Sequence, residues 1–187
     1  MSVSEFLKQS CIDGVTYQLV TPSVRFEPSY REYIAELGDE ERYPFVLDLD
    51  ASDFRNYLDR LEAFRLGVDL PKGYVDSATF WLVRGNTLLG VSNLRQRLNA
   101  EIAHVGGHIG LGIRPSARGK GLSTLLLRWT CEIAKSRHIG YANNSQLHVH
   151  CYSDNHASQN MIKSVGGVLD STIEVGDIKV ARFIIEI

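Results

Sequence analysis

"RPSARGKGLSTLLLRW", Arg114 to Trp129, runs from strand-like spacing, through a turn crowded with small and basic residues, into an apolar-periodic stretch. Small residues where a strand meets a helix let backbone N–H groups point outward together. The first helical turn adds unsatisfied donors and partial positive charge. Here Arg118 and Lys120 interleave with Gly119 and Gly121, and Ser123 supplies a hydroxyl. That combination makes an anion cradle, with phosphate as its natural guest.

The flanks fit a strand-to-helix junction. Upstream, HIGLGI alternates Ile109, Leu111 and Ile113 with His108, Gly110 and Gly112, the period of a strand. Its second face is nearly bare backbone. Gly110 and Gly112 therefore leave room either for a ligand or for a closely packed neighbouring helix. Downstream, Leu122, Leu125, Leu126, Trp129 and Ile133 mark one face of a helix, predicted to end near Gly140.

Farther out, Tyr17 to Val20 reads as a strand. Tyr30, Tyr33, Ile34 and Leu37 then mark a first helix after Pro28, and Phe54, Tyr57, Leu58, Leu61 and Phe64 a second that stops near Gly67. Two strand-like runs flank Arg84-Gly85-Asn86 as a hairpin. After the loop helix, QLHVHC reads as a strand, SDNHASQNMIKSVGG as a short helix, and VLDSTIEV and KVARFIIEI as closing strands. This order predicts an α+β sheet protein with at least one strand–helix–strand crossover.

The 187 residues, with 44% hydrophobic and 22% charged content, suit a single domain over 1–187. A net charge of -2 and the lack of a basic stripe argue against nucleic acid as a partner. Cys11, Cys131 and Cys151 are too widely spaced for a disulfide framework or zinc knuckle and read as packed, reduced thiols. Glu5 and Lys8 interrupt what a secretory signal would need, and no segment is long and apolar enough to span a membrane. A cytoplasmic location is the expectation.

Two nucleotide-binding patterns fail on the loop. A P-loop needs Lys followed by Ser or Thr, but Gly121 follows Lys120; a dinucleotide fingerprint needs a third glycine where Thr124 stands. What Ser116 to Gly121 does resemble is the acetyl-coenzyme A pyrophosphate loop of the GNAT N-acetyltransferase superfamily, Gln/Arg-x-x-Gly-x-Gly/Ala. Ser116 departs from it, standing in the Gln/Arg place. The element order agrees along nearly the whole chain, and NLRQRLN, GGHIGLGIRPSARGKG and NHASQNMIKSVGG together resemble a bacterial branch of predicted acetyltransferases.

The resemblance implies a mixed, mostly antiparallel central sheet of about six to seven strands flanked by about four helices. It also implies acetyl-coenzyme A as cosubstrate, with no metal. Its diphosphate would meet the backbone from Arg118 through Gly119, Lys120, Gly121 and Leu122 to Ser123. Its pantetheine arm would lie along the strand ending at Ile113, and Asn155 and Ser158 would form a second contact segment. As bases for the attacking amine, His108 is the first candidate and Glu101 and His104 the runners-up. The place where many relatives carry a Tyr acid holds Ile162. His148, His150 and His156 lack convincing metal-ligand spacing.

The acceptor implied is a primary amine, on a small molecule or a peptide. Glu27 to Glu62 is rich in carboxylates, which would draw a cationic amine or simply coat solvated helices. Two alternatives stay open: an acyl-coenzyme A binding module without turnover, and a phosphate-binding interaction domain. The oligomeric state is also open, a homodimer being one option.

Overall fold

The computed structural model describes residues 6–140 and 144–187. Part of the N-terminal stretch read for a secretory signal therefore lies outside the described residues. Strands β1 (Phe6–Ile12), β2 (Val15–Val20), β3 (Ser77–Arg84), β4 (Thr87–Arg95) and β5 (Ile109–Ile113) form one antiparallel sheet in that spatial order. Strands β6 (Gln146–Tyr152), β7 (Val168–Val175) and β8 (Ile178–Glu186) form a second antiparallel sheet, ordered β6-β8-β7. Helices α1 (Glu27–Leu37) and α2 (Phe54–Leu66) lie between β2 and β3, and the short α3 (Ala100–His104) between β4 and β5. Helix α4 (Leu122–Ser136) connects the two sheets, and α5 (His156–Ser164) follows β6.

The α+β expectation holds, with the central sheet divided into two antiparallel parts. The strand count exceeds the expectation by one, β1. The sequence carries no signal for β1 because FLKQSCI is largely exposed and its few apolar residues leave no continuous stripe. Nor does it mark α3, whose five residues are too few for a periodic signal. Helix α4 ends at Ser136 rather than near Gly140. Cys11 is exposed rather than packed, and all three cysteines are free thiols. No described helix is long and apolar enough to cross a membrane.

β3 is apolar on both faces because it separates two cores. Ala78, Phe80 and Leu82 join α4 and the β6–β8 residues Leu147, Val149 and Phe183 on one side. Trp81 and Val83 join α1 and α2 through Tyr30, Tyr33, Phe54 and Tyr57 on the other. Leu126 and Leu127 on α4 are fully buried, each contributing about 2 kcal/mol of transfer free energy. This anchoring fixes the start of α4 against β5, and so fixes the glycine loop between them.

Candidate active site

The two sheets meet at one point and then part. Gly107 bridges Val149, and the His108 N–H donates to the His148 carbonyl at 2.6 Å. From there β5 pairs with β4 and β6 with β8, so the facing edges of β5 and β6 diverge. A cleft of about 580 Å³ opens between them, lined by Ile109, Leu111 and Ile113 on one side and Val149 to Tyr152 on the other. The glycine loop and the first turn of α4 stand at its open end, beside the start of α5.

The loop is shaped as a donor array. Gly119 and Gly121 have φ of +74° and +71°, a conformation that glycine adopts without the Cβ penalty. A Cβ built on either would meet nothing within 4 Å, so both backbones face open space. The N–H groups of Gly119, Lys120, Gly121, Leu122 and Ser123 have no acceptor among the described residues, as expected where a helix begins. Arg118 differs. Its N–H donates to the Pro115 carbonyl at 3.2 Å, and its guanidinium is held by the Ile113 carbonyl and Glu40. The donor set therefore starts at Gly119, not Arg118. Lys120 points its ammonium back to the Ser116 carbonyl at 2.9 Å and does not line the cleft.

Ser116, the departure from the family loop, has a structural partner. Its N–H donates to Glu36 at 3.1 Å. Arg114, 7% exposed, pairs with Glu36 at 2.6 Å and Glu32 at 3.1 Å, and donates to the Ser29 hydroxyl. The Arg114 hydrogen bond, aided by Ser116, holds the Glu36 carboxyl down at about 2. The Ser116 N–H and the Arg114 guanidinium thus tie the loop's entry to α1 through Glu36.

The bare face of β5 is filled by protein. A Cβ on Gly112 would collide with the Tyr43 carbonyl, and one on Gly110 would reach Pro44 at 2.9 Å. The connection between α1 and α2 lies there, so the glycines admit a neighbouring loop rather than a helix.

Asn155 caps α5, its side chain accepting from the Ser158 N–H at 3.0 Å, and both residues line the cleft with Ile113. Ile162 is 1% exposed, and a Cβ on Gly167 would strike it. The usual Tyr place is therefore closely packed against the glycine pair.

His108 is 1% exposed, and its Nδ1 accepts from the His148 N–H at 2.9 Å. Burial, then the nearby His148 and Arg95, push it down to about 4. It does not line the cleft. Glu101 and His104 sit on α3 rather than at the start of β5, and Glu101 is exposed away from the cleft. Among the described residues no three His, Cys, Asp or Glu side chains gather as a metal site.

The cleft also takes residues that no motif announced. Tyr33, 0% exposed, places a buried hydroxyl without a partner near Gly112. Burial raises it well above the ordinary phenol range. Tyr43 covers β5, and the Tyr152 hydroxyl donates to the Glu41 carboxylate at 3.0 Å. His150 joins them from β6. The sequence marks Tyr33 only as part of a helix face and His150 only as one of three histidines without metal-ligand spacing, and it carries no signal for Tyr43.

The acidic segment is neutralised in part. Glu27 pairs with Arg31, Glu62 with Arg65, Glu32 and Glu36 with Arg114, and Glu40 with Arg118. Asp53 caps α2 and Asp50 accepts from the Ser52 N–H.

Comparison with known proteins agrees with this architecture. No curated protein sequence matches significantly. RimL, a ribosomal L7/L12 alpha-N-protein acetyltransferase solved with coenzyme A, is 14% identical at a TM-score of 0.71, covering 98% of both chains. Ribosomal-protein-S5-alanine acetyltransferase from Vibrio fischeri is 12% identical at 0.67, over 99% of this chain and 97% of that one. The microcin C7 self-immunity acetyltransferase MccE, solved with acetyl-CoA and AMP, is 12% identical at 0.67, over 91% and 92%. At these identities the likeness is one of fold. The acetyltransferase (GNAT) family model matches residues 22–166, from before α1 to the glycine pair after α5. With the open amide array at the start of α4 and the parted strands beside it, this match establishes that the chain belongs to the GNAT acetyltransferase family.

Proposed function

We propose that the chain moves an acetyl group from acetyl-coenzyme A to a primary amine, on a small molecule or a peptide, by direct attack. The observation that carries this reading is the amide array from Gly119 to Ser123, facing open space at the mouth of the β5–β6 cleft. The diphosphate binds those amides. The pantetheine arm lies along β5 from Ile113, flanked by Asn155 and Ser158. RimL and MccE, solved with coenzyme A and acetyl-CoA, lend support to this assignment.

The acceptor enters beside Tyr43, Glu41 and Tyr152, opposite α4. Of the two carboxylates that line the cleft, Glu40 is paired to Arg118, so Glu41 is the charge that faces an incoming ammonium, and it sets a preference for cationic amines. The amine attacks only when neutral, so its proton leaves through the Glu41–Tyr152 pair and water. Its lone pair forms the C–N bond and the C–S bond breaks. The amine's second proton passes through water to the thiolate, giving the amide and free coenzyme A. His108 positions β6 by accepting the His148 N–H, and Glu101 is assigned no step.

One observation favours a second reading, acyl-coenzyme A binding without turnover: a packed Ile162 supplies no hydroxyl for the departing thiolate. Thiol release from acetyl-coenzyme A, assayed with polyamines, aminoglycosides and short peptides, separates the two. Release with a cationic amine, lowered by Glu41→Gln, is the expected result. Coenzyme A binding with no release across the panel would favour the silent binder, and no coenzyme A binding would overturn both.

A further inference from the structure

His150 lies at the closed end of the cleft, beside the Gly107–Val149 bridge, and is 7% exposed. Its Nδ1 accepts a hydrogen bond from the Gly106 N–H at 3.0 Å. A ring nitrogen that accepts carries no proton, so the hydrogen of the neutral ring is on Nε2. That Nε2 is buried and has no partner among the described residues. A buried donor without an acceptor is costly, and such groups mark places where a ligand completes the structure.

The position suits one ligand atom. If the diphosphate binds at the start of α4, an arm running back along β5 travels roughly 13 Å, the length of that strand, before it meets the bridge. The reacting end of the cosubstrate arrives where His150 waits. We propose that His150 is a catalytic residue whose Nε2–H donates to the carbonyl oxygen of the acetyl thioester as the amine attacks. This rests on the acetyl-coenzyme A reading of the cleft. When the C–N bond forms, the carbonyl π electrons move to oxygen, and a fixed donor there holds the developing charge. They return as the C–S bond breaks, and His150 keeps its proton throughout. Burial and the neighbouring His148, Arg182, His108 and Arg95 push the ring down to about 4, so it stays neutral near pH 7 and does not repel a cationic acceptor.

The test uses the full chain labelled with ¹⁵N-histidine and two probes: coenzyme A, and the ketone analogue of acetyl-coenzyme A in which CH₂ replaces the thioester sulfur. The His150 Nε2–H resonance is expected to move further with the ketone than with coenzyme A. By calorimetry, His150→Leu should weaken the ketone about tenfold and change coenzyme A by less than about twofold, as loss of one hydrogen bond predicts. His150→Gln, whose amide offers an N–H near the place of Nε2–H, should recover most of the ketone affinity. Equal losses for both probes, or none, overturn the assignment. Should the Leu variant unfold, the wild-type resonance and the Gln variant decide by the same criteria. Failure of the wild type to bind coenzyme A is a separate result, which removes the cosubstrate reading itself.

Discussion

The wall that carries Gly119 to Ser123 offers backbone amides, whereas the wall from Glu36 to Tyr43 offers carboxylates and phenols. On the first wall, recognition is a matter of φ angles and an open helix start, properties that a few glycines impose. On the second, recognition depends on which charges are already spent. Glu36 and Glu40 are held by Arg114 and Arg118 from the first wall, while Glu41 meets only a phenol among the contacts described. Backbone-built sites are specified locally. Side-chain-built sites are specified by residues that meet only after folding.

Substitutions can break this contrast. Gly119→Asp strikes the amide wall hardest. Aspartate tolerates positive φ better than most residues, so the loop keeps its shape while a carboxylate enters the cradle. Coenzyme A affinity should fall by at least about 100-fold, with the melting temperature little changed, by calorimetry on both proteins. A loss below about tenfold would mean that the amides are not the anchor.

Ile162→Tyr asks whether a family residue can be restored. Because Ile162 packs against the Gly167 backbone, the larger ring should cost about 3 kcal/mol of stability without raising thiol release. A faster, stable variant would show that the pocket end of α5 is looser than its packing indicates.

Arg114→Leu tests the bond between the walls. Loss of the charged hydrogen bonds to Glu36 and Glu32 should cost about 2 kcal/mol at pH 7 in urea unfolding. The sign with pH follows from Glu36, whose folded value of about 2 lies below its ordinary value of 4.5. Its contribution is full above 4.5 and is lost as pH falls toward 2. The wild type should therefore weaken more steeply than the variant through that window. Parallel curves would contradict the pairing. Glu101→Gln, away from both walls, should shift stability by less than about 0.5 kcal/mol and leave coenzyme A affinity unchanged.

The same contrast explains what could be read before folding. β3, β4, β5, α4 and the glycine loop were legible because their patterns are local: period two, period 3.6, and small residues at a junction. β1 was not, since an exposed edge strand needs no apolar alternation. The choice between ligand space and packing at Gly110 and Gly112 was undecidable, since it turned on Tyr43 and Pro44, far away in the chain. Arg114 looked like one more basic residue of the loop until Glu32 and Glu36 were brought to it. His148 and His150 alternate on one strand, and only burial and the Gly106 N–H set His150 apart.

The central claim is that the open amides at the start of α4 hold the cosubstrate's diphosphate. Backbone ¹H–¹⁵N spectra of the full chain, recorded as coenzyme A is added, test it residue by residue. The largest changes should fall on Gly119, Gly121, Leu122 and Ser123, with Arg118, whose N–H is already committed to Pro115, moving less. Binding that leaves those four amides in place, or no binding at all, would contradict the account.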